Sequence, residues 1–361
     1  MTLARLNPSR APSLRAAALV IVMVLVLAMA VMAGTFAYSM KVETRLSVNT
    51  RSGADLEWLG RSGVELAKWV LQQQRGIPGE GMYDGLNQFW AGGMGPVESV
   101  DNPYNGLDLA QVRIGDGTIS IEIIDLERKI NLNSATEPVL ELAFQLLGAG
   151  AGDAGLIASA VLDWRDRDDL EQAKGGAEKS FYAGLNPPYV PKNGPFDDTS
   201  ELLKVRGVTP ALYWGGRAGG RVPASVRDRH SRQPVSLIPE DQTGAGLVDV
   251  FTAISGGRVN VNTAPLVVLR ILLGGDQSIP QQIIQRRAGP DGVEGTMDDQ
   301  PFRNPAEIPG GGVVGGSLFA VQSTTFEVHV EATLGSARKR FVGVLRRSAG
   351  REGQLMLFHP E

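Results

Sequence analysis

Residues 259–271 of this chain read VNVNTAPLVVLRI, and residues 130–142 read INLNSATEPVLEL, which is nearly the same phrase. The two align without a gap. Each copy has two asparagines separated by one apolar residue, then a hydroxyl residue, an alanine and an apolar run with helical spacing. The matched positions are Asn131 with Asn260, Asn133 with Asn262, Ser134 with Thr263, Ala135 with Ala264 and Leu140 with Leu269.

This repeated phrase predicts a helix start that is used twice. A hydroxyl just before a helix, such as that of Ser134 or Thr263, can accept a hydrogen bond from the free N–H groups of the first turn. We expect the preceding asparagines to hold the incoming extended chain, and Leu140 and Leu269 to face the core. The repeat is therefore interpreted as structural, and the surrounding region is predicted to contain two related helical units.

Short strands are predicted on both sides of this helical region. Residues 112–124, VRIGDGTISIEII, have the alternation of a hairpin around a Gly-Asp-Gly turn, and residues 326–345 show a second hairpin of the same kind. A lone hairpin is marginally stable in water. We therefore expect both hairpins to pair in one sheet, with residues 130–319 as a mostly helical insertion.

The N-terminal segment has the composition of a membrane span. No charged residue occurs from Ala16 to Met40, while Arg5, Arg10 and Arg15 precede this run without any acidic residue. A helix of this length crosses a hydrocarbon layer of about 30 Å. Since basic residues remain on the cytoplasmic side, the sequence predicts one span with the bulk of the chain exported.

The predicted helix continues beyond the membrane as an amphipathic helix. The chain has no proline from Lys41 to Gln74. Two alternatives remain open at this point: a cleaved secretory signal with a cut near residues 28–34, and a membrane anchor followed by a linker and a separate helix. The apolar stripe that favours one continuous helix consists of Leu56, Leu59, Gly63, Leu66 and Val70.

Composition and motifs give little sign of catalysis. The chain has 361 residues, 43% of them hydrophobic, which suffices for a sizeable core. It has no cysteine, so a disulfide, a thiol nucleophile and a cysteine-ligated metal are excluded. None of the metalloprotease, serine-hydrolase or phosphate-loop motifs occurs among its residues. We therefore expect a non-enzymatic protein, and the net charge of −4 argues against a dedicated nucleic-acid binder.

Two acidic clusters follow predicted helices. In DWRDRDD, residues 163–169, Arg165 and Arg167 are expected to form an ion-pair network with the aspartates. In PDGVEGTMDD, residues 290–299, the carboxylates are arranged around glycines that let a loop wrap, as calcium loops do. We expect one structural calcium ion and no other cofactor, with a cation-free acidic turn as the alternative. The predicted calcium ligands are Asp291, Asp298 and Asp299, completed by backbone carbonyls.

These pieces together resemble the type II secretion minor pseudopilin K family. The resemblance runs through most of the chain in the family's order. Its motifs are the apolar helix behind a basic leader, INLN at 130–133, VLDWRDRDD at 161–169, GAE at 176–178, NPPYVPKNGPF at 186–196, SELLKVRGV at 200–208 and VNVNTAP at 259–265.

The resemblance implies an α+β fold. Its parts would be a pilin-like long N-terminal transmembrane helix, a small antiparallel sheet and a large inserted, mostly helical domain of SAM-like or helix-hairpin-helix-like units. The implied division is a basic cytoplasmic leader at 1–15, the transmembrane and amphipathic helix at 16–74, the first part of the pilin-like head at 75–129, the insertion at 130–319 and the last strands of the head at 320–361.

The resemblance also implies a role at the tip of the type II secretion pseudopilus, in its initiation and in protein export across the outer membrane. Implied partners are pseudopilins of the I and J types, secreted substrates and the prepilin peptidase. The protein would be anchored in the bacterial inner membrane with its bulk in the periplasm. The peptidase would cut between Ala16 and Ala17, with methylation of the mature chain. Pilins usually have glycine where Ala16 stands, and most have glutamate where Ile21 stands.

Two other functions compete with this interpretation. The phrase Asn-x-Asn-Thr-Ala before a helix also resembles helix-hairpin-helix DNA-binding repeats of competence proteins. Those repeats need a Gly-hydrophobic-Gly turn whose N–H groups hold phosphate, with lysines nearby. Here the turn after Leu273 contains Asp276, so no nucleic acid is expected as a partner. An unrelated membrane-anchored periplasmic binding protein is the other alternative.

Overall fold

The computed structural model describes residues 14–93, 102–217, 244–309, 318–348 and 351–361. Its contacts divide the chain into two compact units, Met1–Glu57 and Trp58–Glu361. The first unit consists of the larger part of helix α1, which runs from Leu14 to Gln74. Its segment Ala18–Thr44 has a mean hydropathy of 2.8, and none of it is buried against the rest of the chain. This length and composition suit a membrane-spanning helix.

The second unit contains the remaining elements. The described helices after α1 are α2 (Glu137–Leu146), α3 (Ala151–Arg165), α4 (Lys179–Ala183), α5 (Pro210–Trp214), α6 (Leu247–Val250), α7 (Leu266–Leu272) and α8 (Ser278–Arg287). The described strands are β1 (Val112–Ile114), β2 (Gly117–Asp125), β3 (Ile130–Asn131), β4 (Phe251–Thr252), β5 (Val259–Asn260), β6 (Phe319–Ala320), β7 (Thr325–Leu334), β8 (Ala337–Ser348) and β9 (Arg351–Pro360).

One antiparallel sheet joins the two predicted hairpins. Its strand order is β1-β2-β7-β8-β9. Strand β2 pairs with β7 from Gly117 opposite Leu334 to Asp125 opposite Phe326, so residues far apart in sequence form the centre of the sheet. The predicted α+β class, with an N-terminal apolar helix and a small antiparallel sheet, is confirmed. Strand β9 was not predicted, although it pairs with β8 at the edge of the sheet.

The C-terminal part of α1 packs on this sheet. Residues Val64, Ala67 and Val70 are buried at helical spacing, whereas Leu66 of the predicted stripe is only half-buried. A Cβ atom added to Gly63 would lie 2.5 Å from Val330 Cγ1, which is closer than any normal contact. The helix backbone therefore rests directly on strand β7, and only glycine permits this approach.

Residues between the two halves of the sheet form the predicted helical region around one hydrophobic core. Helix α2 packs against α3 and α7, and α7 packs against α8. Leu140 and Leu269 are fully buried in this core, as expected from the repeated phrase. Two short parallel strand pairs, β3 with β4 and β5 with β6, lead into the helices. The boundaries at residues 130 and 319 stay predictions.

Candidate functional site

The first Asn-x-Asn turn, residues 130–135, joins three separate segments of chain. Asn131 Oδ1 accepts the N–H of Asn133 at 2.8 Å, which closes the turn. Asn133 Nδ2 donates to the carbonyl oxygens of Phe196 at 2.9 Å and of Ala253 at 3.1 Å. The N–H of Phe196 donates back to Asn133 Oδ1 at 2.7 Å. The asparagine amide thus replaces backbone pairing between elements distant in sequence.

The second Asn-x-Asn turn, residues 259–264, repeats this geometry. Asn260 Oδ1 accepts the N–H of Asn262 at 3.0 Å. Asn262 exchanges two hydrogen bonds with Phe302, accepting from its N–H at 2.8 Å and donating to its carbonyl at 2.9 Å. Asn262 is only 2% exposed, so these bonds satisfy polar groups that have no access to water.

Each Asn-x-Asn turn is followed by a pair of helices, α2 with α3 and α7 with α8. The arginine that ends the second helix of each pair supports the turn. Arg165, the last residue of α3, donates to the carbonyl oxygens of Leu132 and, at 2.7 Å, of Ala135. Arg287, the last residue of α8, donates to the carbonyl oxygen of Val261 at 2.7 Å. Leu132 and Val261 occupy the same place between the two asparagines. The duplication therefore includes the whole helical hairpin.

The duplication extends beyond the helical hairpins to the segments that contact the two turns. Phe196 and Phe302 each follow a proline, and two residues later Asp198 and Asn304 accept hydrogen bonds from Ser200 N–H at 2.7 Å and Ala306 N–H at 3.0 Å. Each cap precedes a short 3-10 helix. The matching Pro-Phe dipeptides, followed at equal spacing by a capping residue, were the sequence signal that could have revealed it.

The predicted capping role of the two hydroxyls is wrong. Helices α2 and α7 begin after Thr136 and Pro265, and neither of these N-cap residues makes a side-chain cap. Ser134 Oγ instead donates weakly to Asn131 O at 3.4 Å, within the turn. Thr263 Oγ1 donates to Asp125 Oδ2 at 2.6 Å. The hydroxyls act as donors here because each turn places two residues between them and the helix.

A buried polar cluster connects the second turn to the sheet. Asp125, the last residue of β2, is 2% exposed. Its Oδ2 accepts hydrogen bonds from Asn260 Nδ2 at 3.1 Å, Thr263 Oγ1 at 2.6 Å and Ser323 Oγ at 2.6 Å. Burial raises the pKa of Asp125 to about 6, and the two hydroxyl bonds oppose this rise. Sequence patterns gave no sign of this cluster because its members are separated along the chain.

The loop after α3 brings carboxylates together around a buried glutamate. One oxygen each of Asp166, Asp168 and Glu178 lies within 4.8 Å of the others. Glu178 is 2% exposed, and neither of its carboxylate oxygens has a hydrogen-bond partner. Burial, followed by repulsion from Asp163 and Asp166, raises the pKa of Glu178 to about 7. These hard oxygen donors suit a divalent cation such as calcium.

The predicted ion-pair network of this loop is not formed. Arg165 donates to backbone carbonyls of the first turn instead of pairing with an aspartate. Arg167 likewise forms no ion pair within the described ranges. The prediction failed because the sequence did not reveal that Arg165 is needed by the turn. Within the described part of the chain, the carboxylates of this loop therefore form no ion pair with either arginine of the loop.

The loop after α8 contains the predicted calcium ligands Asp291, Asp298 and Asp299. Asp298 Oδ2 accepts the N–H of Asp291 at 3.0 Å, so the structure brings these residues together. Asp291 Oδ1 accepts the N–H of Val293 at 2.7 Å, and Asp299 Oδ2 accepts that of Gly295 at 2.8 Å. Each carboxylate thus has at least one protein donor. A calcium ion in this loop stays a prediction.

The predicted peptidase site lies at the start of α1. Ala16 and Ala17 belong to its first turn. Their side chains lie outside the part of the chain whose side chains are described. The position of the cut therefore also stays a prediction.

Comparison with known proteins supports the resemblance to type II secretion protein K. A family model described as type II secretion system (T2SS), protein K, matches residues 121–214, which include the first turn and its acidic loop. Type II secretion system protein K of Aeromonas hydrophila is 25% identical over 358 residues, covering 94% of each chain. The protein of that name from Pseudomonas aeruginosa is 27% identical over 297 residues, 81% of this chain and 76% of the relative. These matches show that the chain is similar to type II secretion protein K over most of its length.

A solved structure agrees with this assignment at the level of the fold. It is a chain of the GspK-GspI-GspJ complex from the type 2 secretion system of enterotoxigenic Escherichia coli, with a TM-score of 0.61 and 17% identity. The match covers 87% of this chain and 99% of that one. The chain thus has a pilin-like α+β fold. Its N-terminal apolar helix fits a single-pass membrane anchor.

Proposed function

We propose that this protein K relative works at the tip of the type II secretion pseudopilus, as part of a complex with minor pseudopilins of the I and J types. There it would take part in initiating the pseudopilus and in exporting secreted substrates across the outer membrane. The observation that carries the proposal is the fold match over 99% of a chain that is itself part of a GspK-GspI-GspJ complex.

The apolar helix supports a place at the very tip. Ile21 stands where most pilins have a glutamate, and no acidic residue occurs between Ala16 and Met40. A buried acid in that part of a pilin needs a compensating charge on a neighbouring subunit, because an unpaired charge in hydrocarbon is costly. A subunit without this acid can occupy the end of a filament, where one neighbour is missing.

The location proposed is the bacterial inner membrane, with the leader in the cytoplasm and the folded bulk in the periplasm. The chain has no cysteine, so a single introduced thiol reports its side of the membrane. Asp116→Cys places the thiol at the exposed turn between β1 and β2. We expect this variant to react with a membrane-impermeant maleimide in intact spheroplasts. Thr2→Cys should react only after lysis in cells that lack the prepilin peptidase.

The leader is proposed to be removed by the prepilin peptidase between Ala16 and Ala17, with methylation of the new N-terminus. The apolar helix would be retained in the mature protein. N-terminal sequencing and intact mass of the protein from membranes test this. A chain that begins at Ala17 supports the proposal, and a chain that begins at or after Gly34 indicates an ordinary secretory signal.

A structural divalent cation in the helical region is the second part of the proposal. Both carboxylate oxygens of Glu178 and Oδ1 of Asp166 lack a protein hydrogen-bond partner, which is the property that a cation would satisfy, and a carboxylate oxygen of Asp168 lies close to them. The loop with Asp291, Asp298 and Asp299 remains proposed as a calcium site on its composition and on its compact turn. A bound ion would stabilise the folded form by mass action. No catalytic role is proposed for either loop.

The partner assignment is tested by affinity purification of the tagged full-length chain from membranes of its own bacterium. We expect the I-type and J-type pseudopilins to copurify in defined ratio. A matched control is a tagged inner-membrane protein with a single span expressed at the same level. Recovery of neither pseudopilin above this control would contradict the proposed complex.

A further inference from the structure

A wide cleft in the second unit carries uncompensated positive charge. Its volume is about 730 Å³, and it is bordered by the segment after α1, the loop between β4 and β5, and the segment linking β6 to β7. Arg75, Arg258 and Arg303 line it from three separate parts of the chain. Arg258 and Arg303 are exposed, and Arg75 is half-buried. These three arginines therefore border one common space.

The acidic residue that lines the cleft does not neutralise them. Glu127 is 3% exposed, and its two carboxylate oxygens accept hydrogen bonds from the N–H groups of Gly256 at 3.0 Å and Thr324 at 2.7 Å. The Thr324 hydroxyl donates a further bond at 2.5 Å. Glu127 thus fixes the wall of the cleft by tying two loops together. The negative charge of Glu127 is stabilised by hydrogen bonds from these donors.

The three cleft arginines differ from several other arginines of the second unit, which form ion pairs. Arg347 pairs with Asp84, Arg287 with Glu294 and Arg286 with Glu307. In contrast, none of the three cleft arginines forms an ion pair within the described ranges.

The charge of Arg75 is only partly compensated inside the protein, by the electrostatic attraction of Asp84. Arg75 Nε is buried without a hydrogen-bond partner. Burial and the neighbouring Arg347 lower the pKa of Arg75. A buried donor without a partner is costly, so an acceptor from outside the chain would be favourable.

We propose that this cleft binds an acidic peptide segment of a protein partner, whose carboxylates pair with Arg75, Arg258 and Arg303. Guanidinium groups bind carboxylates through two parallel hydrogen bonds, which gives strength and orientation. The volume lies within the range of about 300–1,000 Å³ that is typical of ligand sites. Arginines on three chain segments fit several carboxylates along one peptide better than they fit one compact anion. Met82, which is 60% exposed, provides an apolar contact at the same cleft.

The test is peptide binding to the full-length chain in detergent micelles, followed by fluorescence anisotropy. The probe is a short labelled peptide of alternating glutamate and glycine, and its counterpart has glutamine in place of glutamate. We expect the acidic peptide to bind and the glutamine peptide to bind at least roughly tenfold more weakly. The double variant Arg258→Glu with Arg303→Glu should weaken the acidic peptide by roughly tenfold or more.

Arg113→Glu serves as the matched control, because Arg113 is exposed on β1 and lies outside the cleft. It should leave binding unchanged, and all variants should retain the melting curve of the parent. Equal binding of the two peptides, or unaltered binding by the double variant, overturns the proposal. Displacement of the peptide by inorganic phosphate at equal concentration overturns it in favour of a phosphate site. This result does not depend on whether the chain assembles with other pseudopilins.

Discussion

Gly63 of α1 and Val330 of β7 are in such close contact that a side chain at Gly63 would overlap the valine. A Cβ there would lie 2.5 Å from Val330 Cγ1 and 2.9 Å from Cγ2. Gly60, one turn earlier, has the same relation to the ring of Phe341, at 2.4 Å. Val330 and Phe341 are each 1% exposed, so neither can turn away into solvent. These two glycines determine how closely the helix packs on the sheet.

We predict that Gly63→Ala lowers the free energy of unfolding of the second unit by about 1–3 kcal/mol, the usual cost of overpacking a core. Alanine stabilises a helix relative to glycine by roughly 1 kcal/mol. The predicted decrease in the free energy of unfolding is the net value after this gain. Urea denaturation of the chain in detergent measures it. Gly53→Ala is the matched control, because no atom lies within 4 Å of its added Cβ. Equal shifts in both variants would contradict the packing argument.

The stability of the second Asn-x-Asn turn should depend strongly on Asn262. Asn262→Ala leaves both the N–H and the carbonyl of Phe302 without a partner in a buried place. We expect a loss of roughly 2–4 kcal/mol, since each orphaned buried group costs about 1–3 kcal/mol. Denaturant unfolding measures the loss. A cost below that of a typical surface substitution, about 0.5 kcal/mol, would mean that the asparagine does not hold the two segments together.

The two equivalent hydroxyls should have unequal effects. Thr263→Val removes a donor to the buried Asp125 while keeping the volume of the side chain, so a cost of about 1–3 kcal/mol is expected. Ser134→Ala removes only a long hydrogen bond within its turn and should change stability by no more than about 0.5 kcal/mol. Denaturant unfolding curves of the two variants, measured under the same conditions, give the two costs. Equal costs would restore a common role for the repeated hydroxyl, such as the capping that the structure does not show.

Glu178 should make stability depend on pH when divalent cations are absent. Its pKa is about 7 in the folded chain, against 4.5 ordinarily, so the folded state keeps a proton that the unfolded state has released. The stability from this proton is complete below roughly pH 4.5 and is lost as the pH rises through about 7. Melting temperatures in chelator should therefore fall between pH 5 and pH 7.5. Glu178→Gln should reduce this fall, and an identical fall in both proteins would rule out the assignment.

Calcium should raise the melting temperature of the parent chain at pH 7.5, because it binds the ionised carboxylates of the loop after α3. The predicted site in the second loop is tested separately with Asp298→Asn. Hydrogen bonds from Thr296 and Asp291 lower the pKa of Asp298, so it is ionised and ready to bind a cation. We expect this variant to gain less melting temperature from millimolar calcium than the parent. A full gain would show that the loop is a hydrogen-bonded acidic turn.

The sequence predicted the local parts of the fold well, because they depend on spacing. Alternation in β2 and β7 and the buried Leu140 and Leu269 follow from periods of two and 3.6 residues. Strand β9 was missed because its pairing with β8 is non-local. The site was harder to predict for the same reason: whether Arg165 pairs with aspartates or with carbonyls of the first turn depends on a contact that no spacing reveals.

The central claim, that this chain is a tip pseudopilin needed for type II secretion, is tested most directly by export in a strain that lacks its gene. Secreted proteins should accumulate in the periplasm of that strain and return to the medium when the full-length chain is restored, but not when residues 130–319 are removed from it. Stable accumulation of each protein in the membrane must be verified by immunoblot. Normal export in the deletion strain, with the other pseudopilins present at their usual level, would contradict the account.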